Sequence, residues 1–117
     1  MIVDDEHALA NMMHDFLSME GALVKTFYDP LLAIEAFYKY ADQIDLVITD
    51  ETMPHMSGSE LARRMLALRP NLPVILCTGY SKNATHETTA NIGIEAFFNK
   101  PVNMNELVLT IKALLPS

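Results

Sequence analysis

Five side chains in this sequence can do chemistry together if folding gathers them: Asp4, Asp5, Asp50, Thr78 and Lys100. Each follows a short apolar run, with MIV ahead of the acid pair, LVIT ahead of Asp50, VILC ahead of Thr78 and AFFN ahead of Lys100. Three carboxylates in one crevice repel strongly, because two unit charges ~4 Å apart cost ~4 kcal/mol at an effective dielectric near 20. Either a pKa rises or a cation joins them. A divalent ion with oxygen ligands is the simpler solution, and Mg²⁺ suits a site that offers carboxylates and leaves room for water and a phosphoryl group. A carboxylate beside Mg²⁺, a lysine and a hydroxyl can attack phosphorus and form an acyl phosphate. Lys100 would then neutralise one phosphoryl oxygen and Thr78 would donate a hydrogen bond to another. Taken singly, each residue has a plainer role: acid pairs cap helices, and a strand-end Asp serves in turns. The signal is that these residues fall at the ends of four different strands, the acid pair at the first and one residue at each of the others.

The elements that must position these residues alternate along the chain. MIVDD is a short apolar run ending in acids, and residues 7–20 carry helical apolar spacing through Leu9, Met12, Met13, Phe16 and Leu17, with Gly21 placed to end the helix. Residues 22–28 read as a strand. Asp29-Pro30 opens a helix through about residue 41. Residues 45–49 form the third strand, and a helix starts at Ser57 or Gly58 and reaches about Leu68. Residues 74–78 are the fourth strand, 82–92 a polar, weakly anchored helix, 95–99 the fifth strand and 103–115 an amphipathic helix. Strands that are apolar without clean alternation are those covered by helices on both faces. Five such strand–helix units with right-handed crossovers predict an open parallel sheet with helices on both sides. In that architecture ligands sit beyond the carboxyl ends of the strands, where the strand order reverses. Only Met1, Ile2 and Val3 precede the first acid, so the first strand is short, and the chain is expected to be one domain cut from a longer protein.

Composition narrows the classes further. The chain has 117 residues and a formal net charge of -7, which opposes a nucleic-acid-binding surface. No apolar run approaches the ~20 residues that cross a bilayer, and the start is not a cationic signal sequence. The lone Cys77 excludes an internal disulfide, fits a reducing cytoplasm and reads as core packing. The histidines do not form a metal cluster: His7 and His14 are seven apart on one predicted helix and His55 lies in a loop.

Across nearly its whole length the sequence resembles the receiver domain of two-component response regulators. The matching segments are VDDE (3–6), DETMPHMSG (50–58), CTGYS (77–81) and FFNKP (97–101). The resemblance implies a flavodoxin-like, doubly wound α/β fold: a five-stranded parallel sheet in the order 2-1-3-4-5, flanked by five helices. It implies that Asp50 accepts a phosphoryl group from a phosphohistidine, and that Asp4 and Asp5 hold Mg²⁺ together with Asp50 and the backbone carbonyl of Thr52. Thr78 and Lys100 match the family's hydroxyl and lysine, and the bond before Pro101 is expected to be cis. Thr78 and Phe97 match a switch pair in which the hydroxyl moves toward the phosphoryl group and the aromatic turns inward. The implied partner is a histidine kinase or phosphotransfer domain, with a receiver homodimer as a further option and no direct nucleic-acid or membrane contact by this domain. The implied location is the cytoplasm, or the cytoplasmic part of a membrane-bound sensor kinase. RPNLPVILCTGYS, with the chain ending soon after the last helix, resembles receivers of hybrid sensor histidine kinases. A stand-alone or DNA-binding regulator and a non-phosphorylated pseudo-receiver scaffold are the alternatives. A haloacid-dehalogenase-type phosphatase would carry its nucleophile on the first strand in a DxD arrangement, whereas here the acceptor is on the third. Thr52 and Tyr80 hold positions that tune phosphoryl lifetime in the family.

Overall fold

The local signals for each helix are satisfied by identifiable hydrogen bonds in the computed structural model, which describes residues 1–79 and 92–115. Helix α1 (His7–Met19) stops where Gly21, at φ +97, turns the chain left-handed. The Gly21 N–H donates to Ser18 O at 3.0 Å and the Ala22 N–H to Leu17 O at 3.2 Å, the paired bonds of a Schellman ending. Helix α2 (Pro30–Tyr40) begins with Pro30 behind Asp29, whose carboxylate accepts the Leu31 N–H at 2.9 Å. Helix α3 (Gly58–Leu68) is capped by the Ser57 hydroxyl accepting the Glu60 N–H at 3.1 Å. Helix α4 (Met104–Leu114) is capped likewise by the Asn103 side chain.

The strands β1 (Ile2–Val3), β2 (Thr26–Phe27), β3 (Val47–Asp50), β4 (Val74–Thr78) and β5 (Ala96–Asn99) make one parallel sheet in the order β2-β1-β3-β4-β5. Strands β3 and β4 are buried throughout, so the near-continuous apolar runs are explained by cover on both faces. Val3, Val47, Val74 and Leu76 pack with α2 and α3 around Phe37, Leu61 and Met65. Their sequence neighbours Ile2, Ile48, Ile75 and Cys77 pack on the opposite face with α1 and α4 around Ala10, Met13 and Leu107. The order places the reversal point between β1, which runs directly into Asp4, and β3, which ends in Asp50.

Two expectations change in extent. The second strand, expected over 22–28, is only Thr26–Phe27. Its single neighbour β1 is itself two residues long and offers no longer ladder, and Leu23 stands fully exposed after the α1 ending. Four α-helices occur among the described residues rather than the five expected, because the helix expected over 82–92 falls almost wholly outside them. No helix among the described residues is long and apolar enough to cross a membrane.

Candidate functional site

The sheet delivers its polar residues to one rim. Register aligns Asp50 with Cys77 and Thr78 with Asn99, so the last residues of β3, β4 and β5 finish at about the same height. The Lys100 N–H donates to Thr78 O at 2.8 Å and carries the lysine one step past the β5 ladder, ahead of a cis Lys100–Pro101 bond. At the top of β1, Asp4 is buried, and one of its oxygens accepts the Glu6 N–H at 2.9 Å. Carboxylate oxygens of Asp4, Asp5 and Asp50 all lie within 4.8 Å of one another. Lys100 Nζ is 2.9 Å from Asp50 Oδ1 and 3.8 Å from Asp4 Oδ2.

Burial sets the charges of this cluster. Desolvation pushes the Asp4 carboxyl up to about 6, helped by Asp50 and Asp5 and opposed by the Glu6 N–H and Lys100. Burial also raises Asp50, while the Lys100 hydrogen bond pulls it back. Burial pulls Lys100 down, but the bond to Asp50 and the charge of Asp4 outweigh it and its pKa rises. Among the described residues, Thr78 Oγ1, Asp4 Oδ2 and Thr26 Oγ1 are buried without a hydrogen-bond partner, and the first two lie at this rim. Orphaned polar atoms are costly, and two of them converging on one charged rim leave acceptor and donor capacity there for a ligand. Cys77, beneath the cluster, has its thiol pushed up to about 12 by burial and then by Asp50, which makes it inert packing.

A stability prediction follows with a definite sign. An Asp raised from ~4 unfolded to about 6 folded binds its proton more tightly in the folded state. The folded protein is therefore favoured below pH ~4 and loses that advantage as pH rises through 6. Above that range the ionised Asp4 costs on the order of 2 kcal/mol. Asp4→Asn keeps the acceptor for the Glu6 N–H and removes the charge. Urea unfolding in EDTA should show Asp4→Asn more stable than the wild type by about 1–3 kcal/mol at pH 7.5, with the gap closing toward pH 4. Equal stability at pH 7.5 would refute this account of the buried charge.

The other expected site residues are less closely gathered. Thr52 is exposed on the loop after β3. Phe97 is half-buried, pairs in register with Leu76 and packs against the α2–α3 side of the core, the face to which strand alternation also assigns Thr78. Tyr80 lies outside the described residues. Sequence reasoning missed Glu51, which is buried and accepts from Ser59 N at 2.7 Å and from Ser59 Oγ at 2.9 and 2.7 Å. The nearest signal was an acid directly after Asp50 with a serine eight positions on, a spacing that points to no regular element.

The fold and this acid–lysine rim are those of a phosphoryl-accepting signalling module. The sequence model of the response regulator receiver domain matches residues 1–112, and the chain belongs to that family, whose members accept phosphoryl groups on aspartate in two-component signalling. Among curated relatives, the transcriptional regulatory protein CreB of Escherichia coli is 32% identical over 114 residues, 97% of this chain and 49% of that protein. The probable transcriptional regulatory protein TcrX of Mycobacterium tuberculosis is 34% identical over 117 residues, 98% of this chain and 48% of that protein. The chain thus spans about half the length of these two relatives. Sporulation initiation phosphotransferase F of Bacillus subtilis is 28% identical over 116 residues, 99% of this chain and 92% of that protein. A solved receiver domain protein from Clostridium thermocellum superposes with a TM-score of 0.91 at 26% identity, covering 97% of this chain and 90% of that one. A CheY-like receiver from Methanospirillum hungatei gives a TM-score of 0.81 at 32% identity, covering 96% of this chain and 88% of that one.

Proposed function

We propose that this domain takes a phosphoryl group from a phosphohistidine onto Asp50, with Mg²⁺ held by Asp4, Asp5, Asp50 and the Thr52 carbonyl. The observation that carries the reading is the convergence of three carboxylates within 4.8 Å around a lysine 2.9 Å from Asp50, in a chain of the receiver family. The donor set fits the ion: all the ligands are hard oxygens, and Asp4 Oδ2 is buried with no hydrogen-bond donor of its own. When bound, Mg²⁺ neutralises the acids and polarises the phosphoryl oxygens.

The chain's own groups then act as follows. An Asp50 oxygen forms the new bond to phosphorus while the phosphorus–nitrogen bond to the donor imidazole breaks and the electron pair leaves with the nitrogen. Lys100, already paired to Asp50 Oδ1, shifts to a phosphoryl oxygen as negative charge moves outward. The Thr78 hydroxyl, which lacks a partner, donates to another phosphoryl oxygen. Its movement opens room on the face it shares with Phe97, and the ring turns inward. Phe97 has no hydroxyl, so a partner reads this change as shape.

The phosphoryl donor in this reading is a histidine kinase or phosphotransfer domain, and the location is cytoplasmic. We place the domain within a hybrid sensor histidine kinase on the resemblance of RPNLPVILCTGYS to such receivers. The second reading, a regulator with a DNA-binding output, is favoured by relatives named as transcriptional regulatory proteins that are about twice this length. Incubation with acetyl phosphate should add one phosphoryl group, about 80 Da by intact mass, in Mg²⁺ and not in EDTA. A wild-type protein that gains no mass in Mg²⁺ would overturn the proposal.

A further inference from the structure

Glu51 is a buried carboxylate that the phosphotransfer chemistry does not use. Burying a charge costs several kcal/mol unless it is well partnered, and here both oxygens are turned to Ser59. Ser59 is in the first turn of α3, where free N–H groups and the helix dipole favour an anion. The backbone of Glu51 is held as well. Its N–H donates to Cys77 O at 2.9 Å, and its carbonyl accepts the Gly58 N–H at 2.9 Å. The loop leaving Asp50 is therefore closed on itself: residue 51 grips residues 58 and 59, and Thr52 to Ser57 bulge between. Thr52 is the first residue of that bulge, one peptide beyond the anchored Glu51.

We infer that Glu51 is a positioning residue, whose grip on Ser59 fixes the loop so that the Asp50 carboxylate and the Thr52 carbonyl meet the divalent ion in one arrangement. The inference rests on the Mg²⁺-dependent receiver reading above and adds a role for two residues outside the acid cluster. Groups that orient metal ligands from behind commonly change affinity by 10–100-fold when removed. A loop carbonyl presented by so short a segment gains the same way from being held.

The experiment is Mg²⁺ titration by calorimetry, without any phosphoryl donor, on the wild type, Ser59→Ala, Glu51→Gln and Glu51→Ala, with Tm recorded for each. Ser59→Ala is the decisive variant, because it keeps the Glu51 charge and removes only the hydroxyl contacts. It should weaken Mg²⁺ binding by about 3–10-fold, and Glu51→Ala by about 10-fold or more. Glu51→Gln, which retains one acceptor oxygen, should lie between the wild type and Glu51→Ala. The Glu51→Ala/Ser59→Ala pair should bind no more weakly than Glu51→Ala alone, since both changes break one contact. Variants with lowered Tm and unchanged Mg²⁺ affinity would assign Glu51 a purely structural role and overturn the inference. Should Glu51→Ala fail to fold, Ser59→Ala alone decides between the two. A wild-type protein that does not bind Mg²⁺ removes the receiver reading itself, a failure distinct from wild-type binding matched by every variant.

Discussion

Asp50→Asn should stay folded and lose phosphorylation by acetyl phosphate by on the order of a hundredfold or more. A carboxamide oxygen is a far weaker nucleophile than a carboxylate, and no other group can replace it without moving the loop. Folding should survive because the substitution keeps the shape and removes a buried charge whose ionisation is opposed by desolvation. Lys100 loses its closest partner but keeps Asp4, 3.8 Å away, and part of its surface is exposed. Intact mass beside circular dichroism checks both halves. An Asp50→Asn protein that still gains the full phosphoryl mass would move the acceptor to Asp4 or Asp5. One that unfolds would show that the Asp50–Lys100 contact holds the sheet ends together, contrary to the charge balance above.

Gly58→Ala should be the most damaging glycine-to-alanine change among the described residues. A Cβ at this position would lie 2.1 Å from the Asp50 carbonyl oxygen and 2.9 Å from both the Asp50 carbonyl carbon and Leu76 Cδ1. Two of those atoms are backbone of the central strand, so no rotamer change relieves the clash, and α3 must back away from β3. Overpacking of this kind costs about 3 kcal/mol, or more where backbone must shift. For a chain of this size that is a fall in Tm on the order of 10–15 °C. The same displacement would break the Gly58–Glu51 bond and loosen the acceptor loop. Thermal unfolding of Gly58→Ala within about 2 °C of the wild type would show that α3 is not seated against Asp50 as described. Glycine is needed here for close approach, not for an unusual φ.

The sequence was most legible where both neighbours of an element are inside the fold. Strand β4 is found at residues 74–78 as expected, because a buried central strand writes its whole length in apolar residues. The site was legible for a related reason. Asp4, Asp50, Thr78 and Lys100 each interrupt an apolar run at the same end, and the parallel topology brings those ends together. Edge structure was less legible. In 22–28 the β-forming residues outnumber those that pair, since Leu23 and Val24 belong to the turn-out from α1 and pairing stops where β1 stops. The Glu51–Ser59 grip could not be read at all. It joins a strand end to a helix start across a loop whose path depends on the tertiary fold, and no period of two or 3.6 residues links the pair.

The order of the strands also bears on when the domain can become active as it folds. Asp4 comes near the start of the chain and Lys100 near its end, just past β1 and just past β5, and neither strand touches the other in the sheet. Contacts between such distant residues form late, because the entropy of closing the intervening chain must be overcome first. The strand that brings Lys100 is one of the sheet's two edges and is only partly buried, so it is open to local unfolding. A chain with β1, β3 and β4 already assembled would hold its acids with no lysine to complete them. The chemical competence of the domain is therefore a late reporter of its own assembly, in which fraying of one border strand silences the acceptor while the interior stays intact.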